Sequence, residues 1–209
     1  FANAATYNME ERYTAYTKGS QTPSTPQTPS GTTVPPSGAR IRLCIEADQR
    51  AGSLLDALER ANGWATFYCT PEFMENNGDL LRRLAVSGSA VGLLLDPEDP
   101  AESLDQQLKR GNDALYRATL TRTRLVYVDG GEETLQALEQ LGYSCLTPDM
   151  DRTDYKLESA ANAAALLKRV SARRRDMSVW LGTTASAAGV KEFVSSAQRE
   201  GHYCRAMTE

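Results

Sequence analysis

Between residues 41 and 206 the sequence alternates short apolar runs with amphipathic segments, and no other feature restricts the fold as much. The apolar runs are IRLCIEA (41–47), ATFYCT (65–70), AVGLLL (90–95), RLVYV (124–128), YSCLT (143–147), MSVWLG (177–182) and HYCRA (202–206). Each has the length and composition of a strand. Between them lie segments such as SLLDALERAN (53–62), GDLLRRLAVSG (78–88), EETLQALEQLG (132–142) and KEFVSSAQREG (191–201), whose leucines and alanines recur at helical spacing. Several close on glycine, the residue that most readily ends a helix. Strand, helix, strand in repetition requires parallel strands joined by right-handed crossovers. The chain therefore predicts an α/β fold, an open sheet or a small barrel, with function on the loops at the carboxyl ends of the strands.

The alternation does not reach the N-terminus. Residues 20–38 read SQTPSTPQTPSGTTVPPSG and hold five of the nine prolines with almost no apolar side chain. Such a stretch buries too little surface to offset the entropy of ordering it. Prolines at 23, 26 and 29 favour extended polyproline II, so residues 20–40 read as a Ser/Thr/Pro-rich spacer. Residues 1–19 remain unassigned, and 41–209 form the domain. The composition of the spacer is common between a surface anchor and a globular head. The chain opens on Phe1, so a signal peptide or membrane anchor upstream, and a place outside the cytoplasmic membrane, are expected.

Charge and composition exclude several function classes. The formal net charge is −4, which offers no positive field to a phosphate backbone, so no nucleic-acid partner is expected. The basic run Arg173 to Arg175 falls at a helix end, where it complements the macrodipole. No apolar run approaches the ~20 residues that span a bilayer. The four cysteines, Cys44, Cys69, Cys145 and Cys204, show no zinc-ribbon or C-x-x-C spacing and lie in apolar runs, which suits buried thiols. The one histidine, His202, falls in the last strand-length run and reads as a structural edge residue. The segment GTTASAAG (182–189) lacks the lysine of a phosphate loop.

Four stretches carry a family resemblance. LLDALERANGWATFY (54–68), LLRRLAVSGSAVG (80–92), RLVYVDGGEETLQALEQLGY (124–143) and QREGHYCRAMTE (198–209) occur in order and at matching spacing. Together they resemble the polysaccharide deacetylases with a NodB homology domain across nearly all of 41–209. The resemblance implies a distorted (β/α)7 barrel. It also implies a divalent metal, usually zinc, held by one Asp and two His, with a second Asp as general base and a later His as acid.

The residues at those positions differ. The first motif, TFDDG, falls on Cys44 to Asp48, which leaves Glu46 at the base position and Ala47 where a ligand is due. Both histidines of HxxxH fall on Leu94 and Glu98. The arginine of RPPYG falls near Val126 or Tyr127, and the LHD of the last motif on Leu181, Gly182 and Thr183. Two imidazole ligands and an imidazole acid need three histidines, and the chain has one. Only Asp151, Asp154 and Tyr155 keep a family pattern, that of a substrate-groove element, although Asp151 and Asp154 equally suit capping of a helix that starts near Tyr155.

Asp48, Asp96, Glu98, Asp99, Asp129 and Asp151 fall at or just after strand ends. Oxygen ligands of this kind suit Ca²⁺ or Mg²⁺, while turn chemistry alone also accounts for Asp in loops, and no cofactor is expected. Paired carboxylates for glycosidase chemistry need a separation of about 5–9.5 Å, which sequence does not supply. The reading that results is a non-catalytic relative of the deacetylases at the cell envelope, binding a cell-wall glycan or a wall-associated protein. The alternatives are a carbohydrate deacetylase or hydrolase with a rebuilt acidic site around Glu46, and a structural envelope module.

Overall fold

The structure, a computed structural model, describes residues 38–151, 156–173 and 175–208. Seven strands join one sheet: β1 (Arg40–Glu46), β2 (Ala65–Cys69), β3 (Ala90–Leu95), β4 (Leu125–Val128), β5 (Ser144–Cys145), β6 (Met177–Gly182) and β7 (Tyr203–Cys204). The order is β5-β4-β3-β2-β1-β6, with every pairing parallel. Each apolar run read as a strand is one. The helices are α1 (Ala51–Arg60), α2 (Pro71–Asn76), α3 (Gly78–Ser87), α4 (Leu104–Thr119), α5 (Glu132–Gln140), α6 (Ala160–Arg173) and α7 (Ala187–Arg199).

Period-two alternation sorts the strand residues onto two sides. Leu43, Ile45, Phe67, Cys69, Leu93, Leu95, Val126, Val128, Val179 and Leu181 face the helices and form one core with Leu54, Leu58, Leu84, Leu166 and Phe193. Cys44, Tyr68, Leu125 and Trp180 face the other way and meet in a second, smaller cluster inside the curl of the sheet. Full burial of a Leu or Phe side chain contributes about 1.5–3 kcal/mol, so the outer core carries most of the stabilisation.

Residues 146–150 link the two ends of the curl. Leu146 N–H donates to Val126 O at 2.8 Å, and a few residues on Met150 bridges Val179 on the free edge of β6, where Trp180 N–H donates to Met150 O at 2.7 Å. The run 143–147 therefore yields only the two-residue β5, because the chain leaves β4 to cross to β6. Strand β7 is equally short. It pairs with Arg40 and Ile41, below the point where β2 begins at Leu43, and so continues the same edge of β1 toward its amino end. The result is the curled, barrel-like parallel fold expected from the resemblance.

His202 fastens that amino end. Its Nδ1 accepts from Ala39 N–H at 2.9 Å, its Nε2 lies 3.1 Å from Ser171 Oγ, and Glu200 is 3.9 Å away. It stands at the opposite end of the barrel from the carboxyl ends of the strands. The basic run after α6 acts as a brace: Arg173 donates to Asp149 O, Arg175 pairs with the Asp149 carboxylate, and Asp176 accepts from Arg40 N–H.

Candidate functional site: a carboxyl-end cleft

A cleft of about 1280 Å³ opens at the carboxyl ends of β1 to β4 and β6. Glu46 ends β1, and Thr70, Pro71 and Glu72 carry the turn from β2 into α2. Thr70 accepts from Phe73 N–H at 3.1 Å, which starts that helix at the rim. Leu94 and Leu95 end β3 and Asp96 to Asp99 follow it, Tyr127 lies in β4 and Asp129 just after it, and Asp151 and Trp180 line the cleft as well.

The floor of the cleft is apolar and aromatic. Tyr127 and Trp180 stack with ring centroids 3.9 Å apart and planes at 22°. Tyr68 meets Trp180 edge-on at 5.5 Å and Tyr127 at 6.2 Å, and Leu94 packs against the same group. Gly92 makes room for this arrangement, since a Cβ there would come within 2.6 Å of the Tyr68 ring. The Tyr68 hydroxyl is buried and has no hydrogen-bond partner among the described residues, and burial, with Cys44 and Cys145 nearby, pushes its pKa up.

One side chain holds the wall after β3. Gln107, buried on α4, accepts from Asp96 N–H at 2.9 Å and donates to Asp96 O at 2.7 Å and Glu102 O at 3.1 Å. This satisfies backbone groups that the turn leaves open. The Asp96 carboxylate accepts from Glu98 N–H at 2.9 Å and that of Asp99 from Ala101 N–H at 2.7 Å, so both shape the loop. Arg110, one turn further along α4, pairs with Glu102 at 2.5 Å and lies 3.4 Å from Glu75.

The expected site residues divide. Glu46, Leu94, Asp96, Glu98, Asp99, Asp129 and Asp151 come together in the cleft. Asp48 does not line it: its carboxylate accepts from Arg50 N–H at 2.8 Å and Arg50 Nε at 3.1 Å, and Arg50 also donates to Thr183 O. Ala47 is buried in the helix-facing core. Asp154 and Tyr155 lie outside the described residues. Sequence reasoning passed over Trp180, Gln107 and Arg110. A Trp inside MSVWLG and a Gln on the apolar stripe Leu104–Leu108–Leu115 were the available signals.

A zinc centre of the kind the resemblance implies does not fit these residues. Ala47 and Leu94, at two of the three ligand positions, offer no ligand atom, His202 is at the far end of the barrel, and Gly182 sits at a register slip against Ile45 with φ +52°, a conformation that disfavours a side chain. Among the described residues no three His, Cys, Asp or Glu side chains converge as a metal site would need.

A curled parallel sheet with its cleft at the carboxyl ends of the strands defines a (β/α) barrel class of fold, and solved structures share it. The chain superposes on the peptidoglycan deacetylase PdaC from Bacillus subtilis with a TM-score of 0.66 at 18% identity, covering 82% of this chain and 89% of that one. The polysaccharide deacetylase Bc1974 from Bacillus cereus gives 0.66 at 15% identity, with 82% and 93% covered. A family 4 carbohydrate esterase from Streptomyces lividans gives 0.64 at 16% identity, with 82% and 93% covered. The chain has the polysaccharide deacetylase fold. No family model and no curated protein sequence matches it.

Proposed function

We propose that this chain uses the deacetylase fold to bind a glycan of the cell envelope and has given up metal-dependent hydrolysis. The observation that supports this reading is the composition of the cleft, where Leu94 stands at one of the positions to which the resemblance assigns a metal-binding histidine and packs beside the Tyr127–Trp180 stack. An aromatic and aliphatic floor with carboxylates on the walls suits a polyhydroxylated chain: apolar pyranose faces lie on the rings, and carboxylates accept from hydroxyls. The cleft exceeds the ~300–1000 Å³ of a small-molecule pocket, which suits an extended ligand. The composition of 20–38 and the peptidoglycan deacetylases among the structural neighbours support an extracytoplasmic location on a Ser/Thr/Pro spacer.

The test combines two measurements on the purified protein. Sedimentation with insoluble peptidoglycan is expected to carry the protein into the pellet, and zinc loading followed by assay on N-acetylated oligosaccharides is expected to release no acetate. Zinc-dependent acetate release would instead establish an enzyme, with Glu46 as the base to mutate first. Protein that stays in the supernatant would remove the glycan reading and leave a structural module.

A further inference from the structure

We infer that the cleft selects a cationic glycan, one whose amino groups are free rather than acylated. The inference rests on the glycan reading above and adds the charge of the ligand. Glu46, Glu72, Asp96, Glu98, Asp99 and Asp129 line one cleft, and none has an ion-pair partner among the described residues. Arg110, the cation described in the lining, is already engaged by Glu102 and Glu75. Low-dielectric walls concentrate such a field, so the cleft favours positive ligands over neutral ones and repels anions.

The distribution of the carboxylates decides what form the positive charge takes. They come from four elements: the end of β1, the first turn of α2, the loop after β3 and the loop after β4. Among the described residues no three converge on one point, as a bound metal ion would require. Charge spread along a groove matches charge spread along a chain. The floor narrows the choice further. The half-buried Tyr127, backed by the buried Trp180, and the adjoining Leu94 offer apolar surface between the acidic walls, which accepts pyranose C–H faces while ammonium groups reach the carboxylates. An aminoglycan supplies both along one backbone.

The experiment titrates the protein by calorimetry with short β-1,4-linked glucosamine oligomers and with the same oligomers fully N-acetylated. The free-amine series is expected to bind at least about tenfold more tightly. Its affinity is expected to fall as salt rises from about 50 to 200 mM. The double variant Glu46→Gln/Asp129→Asn, at two cleft carboxylates, is expected to lose most of that preference; the salt dependence of the wild type gives an independent reading if the variant fails to fold. Equal or tighter binding of the acetylated series overturns the inference and leaves the glycan reading standing. Failure of both series to bind overturns both. Polylysine that binds as tightly as the free-amine oligomers also overturns the inference, since the cleft then reads charge without sugar.

Discussion

Tyr68 shows how a single position in the barrel interior combines gain and cost. Its ring fills the space that Gly92 leaves and meets both cleft-floor aromatics, yet its hydroxyl is buried without a partner among the described residues. A buried polar group left unsatisfied costs about 1–3 kcal/mol, whereas the ring contacts do not depend on the oxygen. Tyr68→Phe is therefore expected to raise stability by about 1 kcal/mol, read as a higher midpoint in urea. A clear loss on this substitution would mean that the hydroxyl has a partner. The cysteines tell a related story. Burial pushes the Cys204 thiol up to about 12 and raises Cys44 and Cys69 as well, which suits the core role that their apolar surroundings in the sequence implied.

At the scale of elements, the loops at the carboxyl ends of the strands do different jobs. The loop between β1 and α1 carries Asp48, which the strand-end pattern grouped with the cleft carboxylates and which the fold turns to Arg50 instead. Partial burial alone would raise its pKa, but the hydrogen bonds and charge of Arg50 outweigh that and hold it below the usual carboxylate range. A carboxyl depressed in the folded state binds fewer protons there than in the unfolded chain. Its contribution is therefore present above the unfolded value of about 3.9 and is lost as the pH falls through the folded one. The pair is partly solvated, which limits its worth to about 0.2–1 kcal/mol. Asp48→Asn is expected to lower stability by that order at neutral pH, with the gap closing as denaturation is followed into acid. A gap unchanged by acid would show that the ion pair is not its source. The loop after β3 has the other job, since Gln107 and the capping box of Ser103 and Gln106 on α4 fix the acidic wall to a helix.

On the whole-molecule scale, the described body begins with tight contacts at Gly38 and Ala39, within the last residues of the 20–40 segment read as a spacer. Ala39 N–H donates to His202 and Ala39 O accepts from Tyr203, and a Cβ on Gly38 would come within 2.1 Å of Gly201 O. Backbone tied down in this way resists proteases, whereas the composition of 20–38 is that of an accessible segment. Limited proteolysis is expected to cut within or upstream of 20–38 and to leave a resistant fragment that starts near Arg40; early cuts inside 41–209 would contradict a single domain. The strands and their parallel orientation were legible in the sequence because side-chain period and crossover length are local properties, written into runs such as ATFYC and SLLDALERAN. The lack of three histidines was legible too, since the sequence holds one wherever the motifs are aligned. Tertiary structure alone decided which carboxylates share a cleft, that Asp48 leaves them for Arg50, that His202 closes the far end, and that Trp180 lies on Tyr127. These juxtapositions join strands far apart in the chain, and they are set by the curl of the sheet and the crossing of 146–150 to β6, neither of which has a periodic signature in the sequence.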